Sequence, residues 1–362
     1  MRKGFKTMFI ILFSIILIAL ILFLTILPPS KGKVKPFLDA NGKIIDGSIA
    51  EKVFVQINND THGMIIRGEN INNPVLFFLS GGPGIPEYWL SHEFPTDLEK
   101  HFTVCYWSYR GNGLSYHKDI DKNLMTTKQF LSDAVEVTNY LRNRFSQDKF
   151  YLLSHSFGSY IGINLVSEHP ELFKSYFAMS QISNQKKSEQ IAYKYMKEQY
   201  EKSSNTKMVN EFNKYPILTS DEAYERYLCS MVRDNAMHDL GVGTTRKMKS
   251  VIKEIFFPTL RMKDFTISER LNIWVGKVFS KDTDVVNESF NFDAFQNVKS
   301  IDIPIYFFAG KYDYTCAYEL QKEYYEFIKA PKKDFYTFED SAHSPLFEEP
   351  DKFVEILVSL TQ

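Results

Sequence analysis

Three residues of this chain could together perform acyl transfer: Ser156, Asp313 and His343, each placed just after a short apolar run. A serine hydroxyl is a poor nucleophile at neutral pH. It becomes a good one when a base lies within hydrogen-bond reach and a third group orients that base. Ser156 stands in Phe150-Tyr-Leu-Leu-Ser-His-Ser-Phe-Gly-Ser159, with small residues, Ser154 and Gly158, two positions away on either side. A strand that turns sharply into a helix needs small residues there, and the spacing matches the GxSxG elbow with serine in place of its first glycine. A fourth element is the loop Ser80-Gly81-Gly82-Pro83-Gly84, whose glycines let backbone N–H groups approach a ligand closely. The amides of Gly82 and Phe157 are the candidate donors for a developing oxyanion.

Residues so far apart in sequence can meet only if the fold brings them to one edge. Val53 to Ile57 and Gly63 to Arg67 read as antiparallel strands joined by a turn at 58–62. Val75 to Leu79, Phe102 to Trp107, Tyr151 to Leu153, Ser175 to Met179, Ile305 to Ala309 and Phe335 to Phe338 are short apolar runs suited to buried strands. Between them lie helical patterns over Thr126 to Phe145, Phe157 to Val166, Ala317 to Phe327 and Pro350 to Leu360. Thr126 and Gln129 have the spacing of a capping box. Alternating strands and helices imply a mostly parallel sheet covered on both faces, whose carboxyl ends share one edge. The stretch 182–300 breaks the rhythm with a lysine- and glutamate-rich helical pattern, and reads as an inserted cap. His155 and His169 read as structural: the first with its ring directed away from the neighbouring serine, the second closing a helix before Pro170.

Composition narrows the function classes. The 362 residues are 44% hydrophobic, with 31 Phe and 21 Tyr, enough for a sizeable core. A net charge of -1 provides no global field for nucleic acid, so no nucleic-acid partner is expected. The three scattered cysteines, Cys105, Cys229 and Cys316, have neither disulfide-framework nor metal-site spacing, and no metal or organic cofactor is expected. Met8 to Leu27 contain only Ser14 and Thr25 as polar residues, a length that spans roughly 30 Å as a helix. An uncleaved membrane anchor is expected there, inserted in the lipid bilayer at the cell membrane. Lysines and arginine flank it on both sides; the leading cluster favours a body on the extracytoplasmic side.

Taken together, Ser80 to Gly84, Tyr109-Arg-Gly-Asn-Gly-Leu-Ser115, the Ser156 elbow, Gly310 to Asp313 and Ala342-His-Ser-Pro345 resemble the α/β-hydrolase superfamily, and within it the proline iminopeptidase-like group. The group's usual leading histidine of HGGPG is Ser80 here, and its Asp-Gln before Arg-Gly is Ser108-Tyr109. The resemblance implies an α/β-hydrolase fold, with Ser156 forming an acyl-enzyme, His343 as base and Asp313 orienting it. It implies as substrate a small ester, an amide or a short peptide. Two alternatives stay open: an aminopeptidase that trims short peptides, and a non-catalytic ligand-binding relative. The expected organisation is a basic segment 1–7, an anchor 8–27, a linker 28–50, core 51–181, cap 182–300 and core 301–362.

Overall fold

The computed structural model describes residues 12–14, 17, 24–82 and 84–361. One eight-stranded sheet runs through the body: β1 (Ile49–Ile57), β2 (Asp60–Gly68), β3 (Val75–Leu79), β4 (Thr103–Trp107), β5 (Phe150–His155), β6 (Phe173–Met179), β7 (Ile305–Gly310) and β8 (Lys333–Phe338). The order across the sheet is β1-β2-β4-β3-β5-β6-β7-β8. Strands β3 to β8 are parallel, and β2 is antiparallel to both its neighbours. The hairpin between β1 and β2 is tighter than the sequence suggests. Asn58 and Asn59 alone make the turn, both at positive φ (48° and 60°), the geometry that matches hairpin twist. Asp60, Thr61 and His62 belong to the strand instead.

The strands fed by continuous apolar runs are buried on both faces, as a covered parallel sheet demands. On one face Phe77, Leu152, Tyr176 and Phe307 pack under α2 (Thr127–Phe145) and α3 (Phe157–Glu168), which follow a short α1 (Tyr88–Glu93). On the other face Phe78, Leu153, Phe177 and Phe308 meet residues of the last helix, such as Phe353 and Leu357. Each such aromatic contributes about 1.5–3 kcal/mol when fully buried. Thr126 caps α2 by accepting from the Gln129 amide at 3.2 Å, but the Gln129 side chain turns to Asp133. The capping box is therefore formed in one direction only.

Between β6 and β7 the chain is helical, with α4 (Gln185–Lys202), α5 (Thr206–Asn213), α6 (Asp221–Leu228), α7 (Met231–Asp239), α8 (Phe257–Arg261), α9 (Ile267–Ser280) and α10 (Asp284–Asn291). Tyr193, Met196, Tyr200, Phe212, Tyr227 and Met237 give this region a core of its own. Helices α11 (Tyr318–Phe327) and α12 (Pro350–Ser359) complete the body. Among the described residues no helix is long and apolar enough to cross a membrane; most of the stretch Met8 to Leu27, expected as an anchor, lies outside the described residues.

Candidate active site

Ser156 occupies the turn between β5 and α3 with φ 54° and ψ -123°. That backbone is unfavourable for a residue with a Cβ, costing on the order of 1–3 kcal/mol, and persists only where surroundings enforce it. The enforcement can be named. A Cβ on Gly158 would fall 2.1 Å from the Leu79 carbonyl oxygen, so the helix can press against β3 only with glycine there. The Ser156 amide donates to the Met179 carbonyl at 3.2 Å, and the Ser156 carbonyl accepts from the Ser159 hydroxyl at 2.6 Å. The serine is 8% exposed.

The loops after β7 and β8 bring Asp313 and His343 together. Nδ1 of His343 lies 3.0 Å from each carboxylate oxygen of Asp313. Asp313 is fully buried and also accepts from the amides of Thr315 and Cys316, both at 2.9 Å, and from the Gln321 side chain at 3.1 Å. These donors satisfy a buried carboxylate that would otherwise be costly. The carboxylate in turn selects the tautomer of His343: facing Nδ1, it keeps the proton there and leaves a lone pair on Nε2. The His343 amide donates to the Gly243 carbonyl of the helical region at 3.2 Å, so that region helps hold the base.

Ser156 and His343 are linked less directly. The Ser156 hydroxyl lies within hydrogen-bond reach of the Cys316 thiol. Hydrogen bonds that tighten only when substrate binds are common in empty sites. Burial pushes the Cys316 thiol well up, so it stays a neutral neighbour.

The loop after β3 lies against the serine: a Cβ on Gly81 would come within 3.0 Å of Ser156 Cβ. Gly82 has φ 126°, a glycine-favouring conformation. Phe157 is the first residue of α3, where an amide has no acceptor within its own helix. The Tyr109-Arg110 segment braces this loop from below. The Tyr109 hydroxyl donates to the Ser80 carbonyl at 2.9 Å, and Arg110 makes a two-pronged pair with buried Asp133 at 2.8 and 2.9 Å.

Two residues at the site have roles that sequence reasoning missed. Glu87, buried at the start of α1, accepts from the Gly81 amide at 2.7 Å and pairs with Nδ1 of His155 at 2.8 Å. Nε2 of His155 lies 2.6 Å from the His343 carbonyl, and the two rings are 4.7 Å apart. The ring of His155 bridges the Glu87 carboxylate and the His343 carbonyl, a structural position behind His343. Both its nitrogens face acceptors, a carboxylate and a carbonyl, an arrangement that favours the protonated ring. Burial opposes that charge, but the Glu87 carboxylate and the His343 carbonyl outweigh it and raise its pKa above the usual histidine value. The signal in the sequence is Glu87 itself, an acid set among Ile85, Pro86, Tyr88, Trp89 and Leu90. His169 does end α3, as its C-cap.

This arrangement can support nucleophilic attack by a serine under a preorganised anion site. Among the described residues no group of three or more histidine, cysteine or acidic side chains is arranged to hold a metal ion.

Known proteins place the fold in context. A "Probable aminopeptidase YbaC" from Bacillus subtilis (strain 168) is 33% identical over 314 residues, covering 86% of this chain and 96% of that protein. The solved structure of VinJ superimposes with a TM-score of 0.58 at 15% identity, covering 86% of this chain and 97% of that one. A proline iminopeptidase of Mycobacterium smegmatis gives 0.52 at 13% identity, over 86% and 97% of the two chains. The family described as alpha/beta hydrolase fold matches residues 74–350, from the strand before the glycine loop to the start of the last helix. With that match spanning the sheet, the elbow and the loops after β7 and β8, the chain belongs to the α/β-hydrolase family of enzymes.

Proposed function

We propose that this enzyme is a serine hydrolase that cleaves an ester or amide through an acyl-serine intermediate. The observation that carries the reading is the His343–Asp313 pair at 3.0 Å, at the same sheet edge as a serine held at φ 54°. In the forward step the Ser156 Oγ proton passes to Nε2 of His343 as Oγ bonds to the substrate carbonyl carbon. The carbonyl oxygen becomes an oxyanion, met by the amides of Gly82 and Phe157. His343 then gives its proton to the leaving oxygen or nitrogen as the carbonyl re-forms. Water, deprotonated by the same nitrogen, releases the acid and restores Ser156. Asp313 stabilises the imidazolium throughout. A preorganised donor in such a hole is worth about 2.7–4 kcal/mol to the transition state.

A peptide substrate is the second reading, favoured by the relative called a probable aminopeptidase that is 33% identical over 86% of this chain. The deciding assay compares proline and other aminoacyl arylamides with short-chain nitrophenyl esters. Aminopeptidase action predicts higher kcat/KM on an arylamide with a free amine than on its N-acetylated form; indifference to that acetyl group would sink it.

The body is also proposed to be membrane-anchored and extracytoplasmic. Supporting this, the stretch after the apolar segment is fastened to the cap: Arg270 donates to the Pro28 carbonyl at 2.7 Å, Ser30 to the Lys263 carbonyl, and Lys31 pairs with Thr266. Residues 246–281 carry nine basic and three acidic side chains, and the outer face of α9 exposes Leu271, Val275 and Val278. Basic residues beside an exposed apolar stripe suit contact with a lipid surface. The full chain should stay in the membrane pellet after carbonate washing, with the body digested by protease added to intact cells. Release by carbonate, or protection from protease, would overturn the corresponding half of the proposal.

A further inference from the structure

Helix α9 contains a lysine in a place where burial and accessibility conflict. Arg270, Ile273, Gly276 and Ser280 are buried and mark the face of α9 turned toward the body, while Leu271, Val275 and Val278 face outward. At 100° per residue Lys277 falls inside the inward arc, between Ile273 and Arg270. Its side chain is nonetheless accessible to solvent. Burial meanwhile lowers its pKa, ahead of the opposing influence of Asp234 and the reinforcing influence of Arg233. Lys277 senses the charges of Asp234 and Arg233, so its side chain lies on the side of α9 turned toward α7.

This part of α9 lies against the loop that leads from β3 past Ser156. The backbone of Lys277 rests on the glycine loop after β3: a Cβ on Gly84 would come 2.8 Å from Lys277 Cα. One residue earlier, a Cβ on Gly276 would meet the Gly111 carbonyl at 2.6 Å, so α9 lies directly across the loop. On the far side, the charges of Glu189 and Arg233 reach Cys316, the neighbour of Ser156.

The charges in this region are unequally engaged. Arg233 holds Glu189 with both prongs, at 2.6 and 2.8 Å, and contacts Asp234 at 2.8 Å. Fully buried Glu189 also accepts from the Gln185 side chain at 2.9 Å. Its carboxylate is thus already neutralised and has no lone pair directed at a substrate amine. Lys277, by contrast, has no carboxylate within ion-pair distance among the described residues. A lysine beside the glycine loop without a carboxylate partner is open to an anion brought by the ligand.

We propose that Lys277 binds a carboxylate on the substrate, and that the preferred substrates are short peptides with a free terminal carboxylate, held so that their scissile carbonyl lies over Ser156. The inference rests on Ser156 being the nucleophile, and its test keeps the two claims apart. The rate of Ser156 labelling by a fluorophosphonate is measured in the presence of a dipeptide and, separately, of the same dipeptide as its C-terminal amide. Wild type should be protected at concentrations about ten-fold lower by the acid than by the amide. Lys277→Met should erase that preference, and Lys277→Arg should keep most of it. Equal protection by acid and amide in wild type, or an acid preference that survives in Lys277→Met, overturns the carboxylate site. Absence of labelling in the wild-type protein would instead sink the nucleophile assignment. Should Lys277→Met not fold, Lys277→Gln replaces it, with the same loss of acid preference expected and the same persistence of that preference counting against the site.

Discussion

Ser156→Ala is expected to abolish fluorophosphonate labelling and to lower kcat by at least about 10⁴-fold, with the protein as stable as before or slightly more so. The size follows from the way serine, base and orienter act as one unit: without the nucleophile the other two have nothing to activate, and only binding and the oxyanion donors remain. The stability expectation has a separate origin. The hydroxyl makes no contact that the fold depends upon beyond the Cys316 thiol, while alanine removes a polar group from a nearly buried position. Residual labelling in the variant would identify another serine as the nucleophile. Unchanged turnover on every ester and arylamide tested would rule out the acyl-serine mechanism altogether.

Gly310→Ala is expected to damage both folding and turnover although residue 310 touches no substrate. Gly310 ends β7, three residues before Asp313, and a Cβ there would fall 1.8 Å from the Ala342 carbonyl oxygen and 2.7 Å from that of Ser341. No rotamer change can relieve a clash between a Cβ and a backbone. The loop carrying His343 must retreat from the loop carrying Asp313. Forced overpacking of this kind costs about 1–3 kcal/mol. A displacement near 1 Å at a base can cost about 10²-fold in rate. Thermal melting should show a lower Tm, and kcat should fall far more than KM rises. A variant with wild-type Tm and kcat would mean that the two loops have slack that these distances exclude.

The elements that position the site were legible because they obey short-range rules. Val75–Leu79 is an unbroken apolar run between turn residues, and the strand has those same bounds. The residues around Ser156 announced their turn through small side chains at the two places where β3 and α3 crowd it. The hairpin loop was overestimated for an equally local reason: Asp60, Thr61 and His62 look like turn chemistry. In the folded chain Asp60 and His62 instead serve a buried network in which Asp60 pairs with Arg110, and Trp107 donates to His62 at 3.1 Å. Burial holds His62 neutral there, its pKa lowered to about 4. Nothing local could reveal that.

The same limit explains what the sequence withheld at the site. Glu87 and His155 are separated by 68 positions and meet only because β3 and β5 are neighbours in the sheet. Lys277 is one of many lysines in a basic stretch, and only the packing of Gly276 on Gly111 sets it apart. Order along the chain can nominate Ser156, Asp313 and His343. Which charges in the helical region are already paired depends on contacts between helices, such as Arg233 with Glu189, that leave no periodic mark.

The positive φ of Ser156 carries an evolutionary consequence. A residue with φ 54° and ψ -123° would be more comfortable as glycine, so drift toward greater stability at this position leads away from a side chain there. Ser156 is thus a place where the chain has settled for less than its best-folded sequence. Compensation must come from the packing around it, and the close fit at Gly158 shows where: a methyl group there would collide with the neighbouring strand before it could affect the reaction. Laboratory stabilisation of this enzyme therefore has the most room far from the turn at Ser156, on the outer helices, where gains in folding need not be traded against the geometry of that turn.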